Sequence, residues 1–124
     1  MAYLWIAIGA VVGVSARYFL SGYVARLLFS SFPYGTLLIN ISGSLLLGFF
    51  LIWTGERVLV DVRWRWLVAI GFCGSYTTFS SYAFETFALV EQGQWLLVAG
   101  NVLGSNLLYL ASVAAAGAAL ARWL

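Results

Sequence analysis

Five of the ten charged residues fall in one stretch, Gly55 to Arg65, which leaves long apolar segments on either side of it. Such segments have few ways to fold, because in hydrocarbon each backbone N–H and C=O must find its partner within the structure. Residues are 64% hydrophobic and 8% charged, with a mean hydropathy of +1.00. A soluble domain carries about a quarter charged residues. The chain is therefore read as an all-α integral membrane protein. At roughly 20 residues per crossing, it has room for about four spans and short loops, expected as a single domain over residues 1–124.

The expected spans cover about residues 3–28, 36–54, 66–90 and 95–120. Pro33 and Gly35 mark a turn before the second span, and Glu91-Gln92-Gly93-Gln94 a tight turn before the fourth. Residues 55–65 read as a loop. The N-terminus lacks a basic leader region and its apolar run is long for a signal peptide, so it is expected to be a retained helix. Both termini and the 55–65 loop fall on one side, giving Arg57, Arg63, Arg65 and Arg122 against Arg26 alone. That bias favours cytoplasmic termini. Glu56 and Asp61 dilute it, and a chain so weakly biased is expected to insert in both orientations.

No internal repeat is visible. Transporters often obtain two-sided access from inverted repeats, and a four-span chain would gain that symmetry by pairing antiparallel with a copy of itself. Gly9/Gly13 and Gly100/Gly104 have the small-xxx-small spacing that lets helices approach closely. An assembly larger than one chain is expected.

The chain has no histidine or lysine and one cysteine, Cys73. Imidazole relays, His metal sites, Schiff bases and intrachain disulfides are thereby excluded, and no nucleophile–base pair suggests an enzyme. A net charge of +2, scattered along the chain, gives no nucleic-acid surface.

What remains is an unusual density of hydroxyls. From Ser75 to Tyr82 only Phe79 lacks one, inside an apolar segment where an unsatisfied polar group costs several kcal/mol by general estimates. The glycines and hydroxyls of residues 74–78 predict a third helix broken mid-membrane, and carbonyls freed there suit a hard cation such as Na⁺. Thr36, Asn40 and Ser44 recur every fourth residue, as do Asn101, Ser105 and Tyr109, so each set lines one helix face. Asn40 has two N–H donors for an anion; it equally suits an interhelical hydrogen bond. Phe79 and Tyr82 are helix-face neighbours, either core packing or a pair of ring edges positive enough to meet an anion. Arg17 and Glu85 are the charges at membrane depth, where charge is functional by default, although each can also reach an interface or the other.

Assembled, these residues resemble the Fluc/CrcB family of fluoride channels along nearly the whole chain. The motifs are Gly13-Val-Ser-Ala-Arg17-Tyr18, Gly35-Thr-Leu-Leu-Ile-Asn40-Ile-Ser-Gly43, and Gly71-Phe-Cys-Gly74 through Thr77-Thr78-Phe79-Ser80 to Glu85. The resemblance implies an antiparallel, dual-topology homodimer in the cell membrane whose two pores export fluoride from the cytoplasm. It implies that Asn40 is the pore asparagine and Phe79 the first ring of a phenylalanine pair. It places Arg17 at the vestibule, Glu85 after the aromatic pair and Ser105 on a polar track of the fourth span. It also implies that backbone carbonyls of Gly74 and Thr77 hold a structural Na⁺ at the dimer centre. The chain departs from the pattern in having Tyr82 as the second ring, Ser75 in place of a second glycine, and Asn101 and Tyr109 around Ser105. Fluoride is tightly hydrated, so a narrow path must replace its water with donors. Thr36, Asn40, Ser81, Ser105 and Tyr109 are the expected donors, with no lone cation to trap the ion. The rival reading, a small multidrug-type proton-coupled exporter of organic cations, needs an acid in the first span. That span carries Arg17 instead, and the rival would have to rest on Glu85.

Overall fold

The computed structural model describes residues 1–56 and 59–123. Arg57 and the Glu56 side chain, part of the expected loop charge, lie outside the described residues. Every regular element described is helical. Helix α1 spans Ala2–Leu28 and α2 spans Tyr34–Glu56. Helix α3 is a continuous run over residues 62–76, made of an α-turn, a π-helical stretch Arg65–Cys73 and a second α-turn. Helix α4 spans Phe79–Glu91, and α5 runs Trp95–Trp123 through a π-helical segment at Gly100–Gly104.

Three of these are long and apolar enough to cross a membrane: Ala2–Leu28, Tyr34–Gly55 and Trp95–Trp123. This is a multi-pass membrane protein. Between α3 and α4 the helical pattern stops at two residues, with Thr77 at φ −78°, ψ 157° and Thr78 at φ −149°, ψ 121°.

Local chemistry sets the boundaries. Pro33 lacks an N–H, which the first turn of a helix does not need, and its carbonyl takes the Leu37 N–H at 3.1 Å to open α2. The polar stretch ends sooner than the sequence suggests. Helix starts at Val62 because the Asp61 side chain accepts the Arg63 N–H at 2.9 Å, capping the first turn. Helix α4 ends in a left-handed glycine, Gly93 at φ 69°, with the Gln94 N–H on the Leu89 carbonyl at 3.0 Å.

Helix α1 packs along α3, and α2 along α5. The first seam is closed by glycine. A methyl group on Gly9 would meet the Leu67 carbonyl oxygen and the Phe72 nitrogen, and one on Gly13 the Phe72 carbonyl oxygen. Gly71 answers from the other side, with the Ile6 oxygen 2.6 Å from where its Cβ would stand. By contrast, a methyl group on Gly100 or Gly104 would meet nothing on another element within 4 Å, so no helix contact among the described residues uses their small-residue spacing. The buried residues are split almost evenly between apolar side chains such as Ile39, Cys73 and Leu89 and polar ones such as Thr36, Asn40, Asn101 and Ser105. A core with so many polar members must satisfy them internally.

Candidate functional site

The two extended residues release backbone groups, and a single side chain takes them. Asn40, buried on α2, accepts the Thr78 N–H on its Oδ1 at 2.8 Å and donates its Nδ2 to the Thr78 carbonyl at 3.0 Å. Its amide thus pairs with Thr78 as a neighbouring strand would. In a continuous helix the Thr78 N–H would go to the Gly74 carbonyl, four residues back; here that carbonyl loses its donor to Asn40. The Nδ2 also donates to the Tyr109 hydroxyl on α5 at 3.3 Å. Both N–H groups of Asn40 are therefore engaged, the second in the longer and more exchangeable bond.

Either side of Thr78 is tied down. The Thr77 hydroxyl donates to the Cys73 carbonyl at 2.8 Å, and Arg17 donates its Nε to the Ser75 carbonyl at 3.0 Å. A cation at a helix C-terminus complements the dipole there. The Thr78 hydroxyl accepts the Ser81 N–H at 3.2 Å, capping α4. Thr36 donates to the Glu85 carboxylate at 2.5 Å. Arg17 and Glu85 thus take different partners, and the only ion pair among the described residues is Arg63–Asp61.

Three open grooves follow one another along this side of the molecule. One of about 610 Å³ lies beside the 29–35 connector and reaches Thr36 and Glu85. The next, about 900 Å³, shares Thr36 and Glu85 with it and continues past Ser81 to Arg17 and Thr78. The third, about 470 Å³, shares Arg17 and Thr78 and opens on Gly74, Thr77, Phe79 and Ser80. Arg17, Thr36, Ser81 and Glu85 are thereby brought to one polar wall.

The remaining candidates sit on the α4–α5 seam. Phe79 and Tyr82 have ring centroids 5.7 Å apart and tilted by 44°, and Tyr82 meets Tyr109 edge-on at 6.3 Å. Phe79 is 77% exposed while Tyr82 is buried. Ser105 donates to Asn101 Oδ1 at 2.8 Å, Asn101 Nδ2 to the Thr86 hydroxyl at 2.8 Å, and Thr86 to the Tyr82 carbonyl at 2.7 Å. This chain of donors runs one way and ends on the backbone; the Asn101–Thr86 bond joins α5 to α4, while Ser105 braces Asn101 from one turn along the same helix. Asn40 hydrogen-bonds to both clusters, through Thr78 on one side and Tyr109 on the other.

Sequence reading passed over Thr86 and Asn106. Asn106 donates its Nδ2 to the Val102 carbonyl at 2.7 Å and to the Tyr82 hydroxyl at 3.1 Å. The signal for Thr86 was its place four residues after Tyr82, on the same helix face. Among the described residues no three His, Cys, Asp or Glu side chains gather to hold a metal.

A family model described as "CrcB-like protein, Camphor Resistance (CrcB)" matches residues 4–120. The chain belongs to the CrcB family. It is 60% identical over 116 residues to a protein of Koribacter versatilis named "Fluoride-specific ion channel FluC", covering 94% of this chain and 92% of that one. A Rhodospirillum rubrum protein of the same name is 45% identical over 115 residues, 91% of this chain and 89% of the relative. A third, from a Sulfurihydrogenibium species, is 43% identical over 123 residues and covers 98% of each. The CrcB match reaches into every helix described above and includes the polar wall and the Asn40 junction.

Proposed function

We propose that this CrcB protein is a fluoride-selective channel that exports fluoride from the cytoplasm through two pores of an antiparallel, dual-topology homodimer in the cell membrane. The names of its relatives supply the ion, and these relatives are channels rather than enzymes. On this chain the reading is carried by the Asn40 junction: one buried amide bridges the extended Thr77–Thr78 backbone and the Tyr109 phenol, where two polar surfaces meet. In this reading α3 and α4 are the halves of one membrane crossing interrupted mid-membrane, since each is short for a span of about 20 residues.

Arg17 and Glu85 stand at the vestibule. The Arg17 N–H groups not given to Ser75 draw the anion toward the polar wall, and Glu85 keeps the Thr36 hydroxyl oriented. Ser81, the Asn40 amide and Thr36, whose single proton must first leave the Glu85 carboxylate, replace the ion's water one donor at a time. Phe79 and Tyr82 offer ring edges, and Tyr109 its hydroxyl. Asn101 and Ser105 continue the track on α5 as its buried backing. Arg17 is the one cation lining these grooves beside the donors named here, and its place at the vestibule, with its Nε given to the Ser75 carbonyl, leaves the track beyond it to neutral donors that release as well as bind.

Exposure supports a second copy. Gly74, Phe79 and Ser80 are open on the single chain, and Gly74 carries the carbonyl that lost its helical donor. Freed carbonyls are tolerated at membrane depth only against protein or a polar ligand. An antiparallel partner would cover them. The Gly74 and Thr77 carbonyls of both copies would then suit a structural sodium ion at the dimer centre, since hard cations take oxygen donors.

The test is efflux from reconstituted liposomes loaded with fluoride or chloride and read by ion-selective electrodes. Fast fluoride efflux without chloride efflux, indifferent to a proton gradient, is the expected result. Proton-driven export of an organic cation with no fluoride flux would replace this reading with the exporter, whose acid would be Glu85.

A further inference from the structure

The Tyr82 phenol sits where the family resemblance places a plain ring, and its hydroxyl is not left to itself. Asn106 holds it. The Asn106 Nδ2 is 2.7 Å from the Val102 carbonyl, one turn back on α5, and 3.1 Å from the Tyr82 hydroxyl. The amide orientation follows from chemistry. Turning it over would set its oxygen 2.7 Å from the Val102 carbonyl oxygen, acceptor against acceptor, so the nitrogen faces both groups. An amide N–H only donates, hence the phenol oxygen accepts. Its own proton is then directed elsewhere, and no acceptor for it stands among the described residues.

Tyr109 repeats the arrangement: its hydroxyl accepts from Asn40 and keeps its own proton. Two phenols in edge contact at 6.3 Å thus each take a hydrogen bond from an asparagine. A hydroxyl that accepts a bond is polarised into a better donor. Asn106 is itself exposed in the middle of α5, where the other exposed residues from 101 to 121 are leucine, valine and alanine, an expensive place for an amide unless the amide has work there.

We infer that Asn106 is a positioning residue for anion passage: by donating to the Tyr82 phenol oxygen it fixes the ring beside Phe79 and leaves the hydroxyl proton free to meet the ion. This rests on the fluoride-channel reading above. In a chain with phenylalanine at 82, Asn106 would have nothing to position.

The experiment is a double-mutant cycle of Asn106→Leu and Tyr82→Phe in liposomes, reading initial fluoride efflux and its dependence on fluoride concentration. Each single variant is expected to lower efflux at limiting fluoride about fivefold, the weight of one hydrogen bond. The double variant is expected to be no worse than either. Equal losses from Asn106→Leu in both backgrounds, or no loss beside Tyr82, would overturn the inference. A second readout works even if no ion moves. The tyrosine bands of the ultraviolet resonance Raman spectrum, taken as wild type minus Tyr82→Phe, report whether the Tyr82 oxygen accepts a hydrogen bond. That signature is expected to vanish in Asn106→Leu protein that remains monodisperse in detergent, and its persistence would overturn the pairing. Absence of fluoride flux in the wild type, with the Raman change intact, would instead count against the channel reading alone.

Discussion

The α1–α3 seam and the α2–α4–α5 junction are both helix contacts within a single apolar chain, yet they are held by opposite means. Along α1–α3 there is almost nothing between the backbones. Gly9 and Gly13 lie against the main chain of residues 67–72, and Gly71 against that of Ile6. At the junction polar side chains meet between the helices: Asn40, Tyr109, Thr86, Asn101 and Ser105. Lipid supplies no hydrophobic force between helices, so close van der Waals contact and internal hydrogen bonds are the available adhesives. The glycine seam uses the first. The junction uses the second, which on the proposed channel reading can be exchanged bond by bond for an ion. The difference separates scaffold from candidate path.

The strongest way to break the comparison is to thicken the seam. Gly9→Val would drive methyl groups into the Leu67 carbonyl and the Phe72 nitrogen. Backbone cannot rotate aside as a side chain does, so the expected cost exceeds the roughly 1–3 kcal/mol of ordinary overpacking. Loss of monodisperse protein on size exclusion in detergent is the expected outcome. Gly22→Ala is the control, since nothing stands within 4 Å of Gly22; that change is expected to leave the elution profile alone and add up to about 1 kcal/mol of helix propensity. A folded Gly9→Val protein would mean that the seam is looser than its geometry.

At the junction the largest effect is expected from Asn40→Asp. The carboxylate still accepts the Thr78 N–H but cannot donate to the Thr78 carbonyl or to Tyr109, the two bonds that Nδ2 makes. It also places a negative acceptor where an anion needs donors. Fluoride efflux is expected to fall by about tenfold to a hundredfold, matching roughly 1–3 kcal/mol for a buried group left unpaired, with the elution profile unchanged. Wild-type flux would remove Asn40 from the path. Phe79→Ile is expected to act more gently, by about two- to tenfold, the weight of one aromatic pair. Because Phe79 is 77% exposed on the single chain, its replacement should spare the fold. Normal flux would make the 5.7 Å ring pair with Tyr82 a packing contact only.

The all-helical, membrane-spanning character was legible because charge and apolarity are so sharply segregated, and the helix-face periodicities of Thr36/Asn40 and Asn101/Ser105/Tyr109 could be read directly. The hydroxyl-rich run pointed to the neighbourhood of Thr77 and Thr78, where the backbone extends. What could not be read was direction. Periodicity puts Asn40 and Asn101 on faces, but only geometry shows Asn40 paired with the backbone of Thr78 and Asn101 relaying Ser105 to Thr86. Asn106 escaped notice for a related reason. It is five residues from Asn101 and belongs to no i+4 stripe, and its partner Tyr82 lies on another helix. The start of α3 was obscured because charged residues were read as loop, whereas Asp61 is the cap that begins a helix.

The smallest expected effect lies at that cap, outside both regions compared. Arg63 donates from its side chain and its backbone N–H to Asp61, and these bonds hold the Asp61 carboxyl at about 2, below its ordinary 3.8. A depressed carboxylate pKa contributes stability that is complete above the unfolded value and is lost as pH falls through the folded one. The contribution of Asp61 should therefore be constant from neutrality down to about pH 4 and fade between there and pH 2. Both side chains are exposed, at 45% for Asp61 and 57% for Arg63, so solvent screens the pair and the contribution is slight. The Arg63 guanidinium also lies 5.8 Å from the Trp5 ring centroid, joining the start of α3 to the start of α1. Asp61→Ala removes the cap and frees Arg63, and a small drop in the detergent melting temperature at pH 7, shrinking toward pH 2, is the expected result. Fluoride efflux should not change, because neither residue lines the three grooves that follow the polar wall. An efflux defect in Asp61→Ala would extend the ion path to this end of the molecule and undo the division between scaffold and junction.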